Sequence, residues 1–139
     1  MLEFQSEVPD LRGARCEALI AQEFWYAGER VSSASVLYLK TEAAGWHRVA
    51  IDGGVLFWRV EAEPSFPRRE DSGEEFGQHP LVDLGERHAL VGRQIERVRV
   101  VEAPEVNELQ FEFSDGIVVA LRDFPGRDAT DLEIRPPAA

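Results

Sequence analysis

The residues best equipped for chemistry in this 139-residue chain are three histidines, one cysteine and a trio of aspartates. His47, His79 and His88 lack the short spacings that zinc motifs use, and Cys16 is remote from all three. No metal site is expected. Cys16 would act as a nucleophile only if the fold brought it a histidine. Its counterpart in an internal repeat is Ile95, which reads as a small buried hydrophobe at both places. No Gly-x-Ser-x-Gly elbow surrounds a serine. Gly53-Gly54 and Gly126 sit in turns between strands with no helix following, so no phosphate loop is expected. Asp123, Asp128 and Asp131 could hold a cation around one turn, but they lack the alternation and the bidentate glutamate of an EF-hand loop. Their expected role is to cap backbone groups in a solvated turn. The chain thus predicts no catalytic residue and no cofactor.

Two other features suit binding. In Phe24-Trp25-Tyr26, neighbours on a strand point to opposite faces, so they cannot all enter one core. Trp25 and Tyr26 are therefore candidates for an exposed anchor, the role in which such side chains dominate interfaces. The second feature is the acidic cluster Glu70, Asp71, Glu74 and Glu75. It lies in segment 61–89, which holds eight acids and three bases and so about half the net charge. These six residues form the candidate partner-binding set.

The whole chain has 26 acids against 15 bases, a net charge of -11, and its only lysine is Lys40. That balance disfavours a nucleic-acid backbone or an anionic membrane as partner and favours a basic protein surface. A single cysteine excludes an internal disulfide and suits a reducing cytoplasm. The first residues are acidic, with no basic region followed by an apolar stretch, so no secretory signal is read there. The longest apolar runs, 53–58 and 117–121, are too short to span a bilayer.

The elements that must position these residues are strands. Segment 15–26 reads as a strand that Gly28-Glu29-Arg30 breaks. Strands are then expected over 35–41, 46–51 and 55–60, the last apolar on both faces as a central strand would be. Asp52-Gly53-Gly54 marks a tight hairpin turn. Pro64, Pro67, Pro80, Gly73 and Gly77 interrupt regular structure, with one or two helical turns over 83–90. Strands follow over 93–102, 109–114, 117–122 and 131–134, with Asp115-Gly116 as a second hairpin turn.

The halves are similar. Leu11-Arg12-Gly13-Ala14-Arg15-Cys16-Glu17 returns as Leu90-Val91-Gly92-Arg93-Gln94-Ile95-Glu96, each copy leading into alternating strands. The expectation is a mostly β single domain, 1–139, built from two similar antiparallel β-meanders packed as a sandwich or small barrel. The first meander covers about 11–60, an acidic connector about 61–89 and the second meander about 90–135.

The second copy, from Leu90-Val91-Gly92-x-x-Ile95 through Leu109-Gln110-Phe111-Glu112-Phe113-Ser114-Asp115-Gly116 to Asp131-Leu132-Glu133-Ile134, resembles small β-rich bacterial proteins of unknown function, which are often found as immunity partners of secreted toxins. The resemblance implies a small acidic cytoplasmic protein that blocks a toxin by binding it, and it assigns no residue a role. The acidic balance then makes a basic active-site cleft the surface it is expected to cover. Two other classes remain open, a small-molecule-binding or enzymatic β-barrel and an accessory subunit of a larger assembly. A homodimer joined through strand edges is compatible with each.

Overall fold

Period-two alternation of apolar and polar residues sends one side of each strand inward, and two sheets bury those sides against each other. The computed structural model describes residues 2–43, 45–68, 77–127 and 129–137. Among these residues ten strands and one helix occur in the order β1 (Glu3–Phe4), β2 (Cys16–Tyr26), β3 (Glu29–Thr41), β4 (Trp46–Asp52), β5 (Val55–Glu61), β6 (Leu81–Asp83), α1 (Leu84–Arg87), β7 (Ile95–Glu102), β8 (Asn107–Phe113), β9 (Val118–Asp123) and β10 (Thr130–Arg135). One sheet has the order β1-β5-β4-β3-β2-β6 and the other β10-β9-β8-β7. The protein is mostly β, and its described strands form two sheets and no closed barrel. One apolar cluster draws Leu19, Leu39, Val49 and Trp58 from the first sheet and Leu109, Phe111 and Leu121 from the second.

Each sheet contains one four-strand meander, β2 to β5 and β7 to β10, as the internal similarity predicts. The entry segments of the two copies pair with one another. The Gly13 N–H donates to Ile95 O and the Gly92 N–H to Cys16 O, both at 2.8 Å. The Ile95 N–H donates to Ala14 O and the Cys16 N–H to Arg93 O, again at 2.8 Å. These bonds exchange under the alignment of the two copies, so they lie about a local two-fold axis at the Arg15–Gln94 antiparallel bridge. Both copies then show a register shift one residue in, at Glu17 and at Glu96. Cys16 and Ile95 are both fully buried.

Several expectations need correction. Gly28-Glu29-Arg30 does not end the strand region. Ala27 and Gly28 alone make the turn, at φ 52 and 80, and β3 begins at Glu29. Strand β5 is not central and not buried on both faces. Its sheet neighbour beyond β4 is the two-residue β1, and Phe57 and Val60 are exposed. That β1–β5 pairing is parallel, so the first sheet is not purely antiparallel. Part of the connector is ordered on the sheet, since β6 pairs with β2. Asp123 is not a solvated turn residue but is buried, with its carboxylate accepting from Asn107 Nδ2 at 3.5 Å. Asp131 accepts from the N–H and the hydroxyl of Ser33, both at 3.2 Å, and Asp128 lies outside the described residues.

The last of these contacts belongs to a seam that shapes the surface. β3 pairs with β4 only over Leu37 to Lys40. Its earlier residues leave β4 and lean on β10 of the other sheet. The Ser32 hydroxyl donates to Thr130 O, the Thr130 hydroxyl to Ala34 O at 2.6 Å, and the Leu132 N–H to Ser33 Oγ at 2.7 Å. Small residues are needed there because side-chain oxygens replace a backbone ladder. The departure opens a groove between β3 and β4.

Candidate functional site

Of the predicted binding set, Trp25 and Tyr26 lie at the end of β2. The register of β2 against β3 shifts between Gln22 and Phe24 and again before Trp25, so the three consecutive aromatics diverge. Phe24 turns onto His79, with ring centroids 5.3 Å apart and nearly parallel. Trp25 is half-buried, its indole N–H donating to Glu23 Oε1 at 2.9 Å, and Glu23 also pairs with Arg30 at 3.4 Å. Tyr26 is 50% exposed. Trp25 is thus not the free anchor that the sequence suggests, whereas Tyr26 is open.

Glu70, Asp71, Glu74 and Glu75 lie outside the described residues. The chain that continues from them is described, and it returns to this hairpin. The Trp25 N–H donates to Gln78 O at 2.9 Å and the Gln78 N–H to Trp25 O at 2.8 Å. Gly77 makes that approach feasible. It has φ +77, and a Cβ there would stand 2.5 Å from the Phe24 ring and 2.6 Å from Trp25 O.

A second feature, missed in the sequence, lies on the outer face of the first sheet. Tyr38, Arg48 and Arg59 stand in one cross-strand row, Tyr38 opposite Arg48 and Arg48 opposite Arg59. Residues of the connector fold over them. The Tyr38 hydroxyl donates to Ser65 O at 2.9 Å, and Phe66 meets the Tyr38 ring edge-on at 4.9 Å. Arg59 engages Glu61 at 3.4 Å and Ser65 Oγ at 3.3 Å. Arg48 makes no hydrogen bond or ion pair among the described residues, yet it is half-buried. It lines two grooves that also share Gln22, one of about 440 Å³ at the β3–β4 opening and one of about 530 Å³ under the connector. The sequence did carry a signal for this row. The two-residue turn at Gly53-Gly54 fixes the β4–β5 register, and that register alone puts Arg48 opposite Arg59.

His47 faces the core, where its Nδ1 accepts from the Trp58 indole N–H at 3.0 Å, and desolvation lowers its pKa below the ordinary value. Burial pushes the Cys16 thiol up to about 11, which suits packing rather than nucleophilic use. Among the described residues no three His, Cys, Asp or Glu side chains cluster to hold a metal ion, and no helix is long and apolar enough to cross a membrane.

No protein-family model, no curated protein and no solved structure matches the chain.

Proposed function

We propose that this chain is a non-catalytic binding protein that works in the cytoplasm. Its anchor is Tyr26 at the β2–β3 hairpin end, and its steering charge is the acidic set Glu70, Asp71, Glu74 and Glu75. In its most concrete form it is an immunity protein, which covers the basic active-site cleft of a cognate toxin domain. The observation that carries this reading is the pair of backbone bonds between Trp25 and Gln78. They hold Gln78, three residues after Glu75 in sequence, beside the strand end that carries the exposed Tyr26, which supports a reading in which steering charge and an anchoring ring serve one partner. Complementary charge speeds encounter, and a ring that loses water on docking slows release.

The test begins with affinity capture at low and high salt and continues with association kinetics on the basic protein retained. Joint replacement Glu70→Lys, Asp71→Lys, Glu74→Lys and Glu75→Lys is expected to slow association at least tenfold and to flatten its salt dependence. Tyr26→Ala is expected to speed dissociation instead. A partner whose rates neither change alters would place its contacts elsewhere and overturn the reading, as would capture of no partner at either salt.

A further inference from the structure

We infer that the outer face of the first sheet holds a binding site for a small organic oxyanion, a phosphate or carboxylate carried on an aromatic or other apolar body, with Arg48 as its anchor. This inference does not rest on the protein-binding reading above.

The first argument concerns charge. Most other described arginines are spent on the abundant acids. Arg97 bonds Glu112 at 2.5 Å, Arg93 pairs with Asp115 at 3.0 Å, and Arg122 and Arg135 share Glu108 at 3.0 and 2.8 Å. Among the described residues, Arg15, Arg48 and Arg87 have side chains with no such partner, and Arg15 and Arg87 are exposed to water. Arg48 alone of the three is half-buried, and it stands directly opposite another arginine on the same face. Like charges in that cross-strand position oppose one another. Glu61 offsets Arg59 but not Arg48, so a bound oxyanion would give Arg48 the charge-assisted contact it lacks, and the planar guanidinium suits a two-oxygen acceptor.

The second argument concerns which groove receives which part of the ligand. The described walls of the groove under the connector include Arg48, Arg68, Gln22, the Tyr38 hydroxyl and His79, and no carboxylate. His79 Nδ1 is buried there without a hydrogen-bond partner. The neighbouring groove contains Asp52 and Asp123, which would repel an anion, but it also offers Phe24, Val36, Ala50 and Phe57. The charged group therefore belongs under the connector and the apolar body in the β3–β4 opening, with Arg48 and Gln22 at the junction. A groove of a few hundred Å³ with a few converging polar groups is the usual form of a small-ligand site.

The experiment titrates the isotope-labelled 139-residue chain with phenyl phosphate, benzoate and, as the uncharged control, benzyl alcohol, and follows the arginine Nε–H signals, side-chain amides and backbone amides. Phenyl phosphate or benzoate is expected to move the Arg48 Nε–H and the Gln22 side-chain amide, with affinity at least tenfold weaker in Arg48→Gln and unchanged in Arg15→Gln. Whichever oxyanion binds tighter identifies the class. Arg48 makes no hydrogen bond or ion pair with the described residues, so Arg48→Gln should keep the wild-type amide spectrum outside its immediate neighbours, which separates loss of binding from loss of fold. Equal titrations in the wild type and Arg48→Gln, or equal response to benzyl alcohol, would overturn the inference.

Discussion

His47 shows how much one neighbour decides about a side chain. The Trp58 indole can only donate, so the His47 nitrogen facing it carries no proton and the neutral ring is protonated at Nε2. Adding a second proton would place a charge in the apolar core and break that bond. In an unfolded chain the imidazole takes up its proton near pH 6.5, whereas the folded protein resists until lower pH. The unfolded state then binds more protons, so the stability due to neutral His47 is complete above about pH 6.5 and declines as pH falls toward the folded pKa, at up to about 1.4 kcal/mol per pH unit. Urea unfolding at pH 8, 6.5 and 5 should show this decline in the wild type and a flatter profile in His47→Gln. Equal slopes would assign the effect to other groups. The sequence located His47 on a strand. That it faces inward depended on Leu39 lying opposite it and on the second sheet beyond.

At the scale of elements, local signals and long-range pairing divide the work. Asp52-Gly53-Gly54 and Asp115-Gly116 mark turns because few residues tolerate positive φ, and those turns are where the chain reverses. The Ala27-Gly28 turn was missed because alanine rarely takes φ 52, and the pairing of the two long strands it joins imposes that angle. On β8 to β10, Glu108 is 7% exposed. Its burial raises its pKa, but hydrogen bonds from Arg135, Gln110 and Arg122 outweigh that and hold the carboxyl below its usual range. The second sheet thereby links three strands through one carboxylate. The approach of the connector's later part to the β2–β3 hairpin depends on Gly77. Gly77→Ala would add backbone strain and a clash with the Phe24 ring, costing about 1–3 kcal/mol. Hydrogen exchange should quicken at Trp25 and Gln78 while the β7–β8 ladder keeps its protection. Unchanged protection at Gln78 would show that the bridge does not depend on that glycine.

For the whole molecule, the dominant fact is the local two-fold axis between the copies. Gly13 and Gly92 have φ +80 and +89, and a Cβ at either would meet nothing within 4 Å. Only backbone strain then distinguishes alanine from glycine there. Gly13→Ala and Gly92→Ala should each lower stability by about 1 kcal/mol, and by similar amounts. Chemical denaturation measures both, and a difference larger than the loss itself would mean that the copies bear the junction unequally. The sequence by itself determined the β class, most strand positions, the hairpin turns and the existence of two copies. All of these follow from residue period, turn chemistry and repetition, which are local properties of a chain. Only the tertiary structure decided that the copies meet head to head through Arg15 and Gln94, that β3 leaves β4 for β10, and that Gln78 returns to Trp25. Those outcomes depend on contacts between residues far apart in the chain, where side-chain packing and hydrogen-bond satisfaction choose among many arrangements that the same local pattern allows.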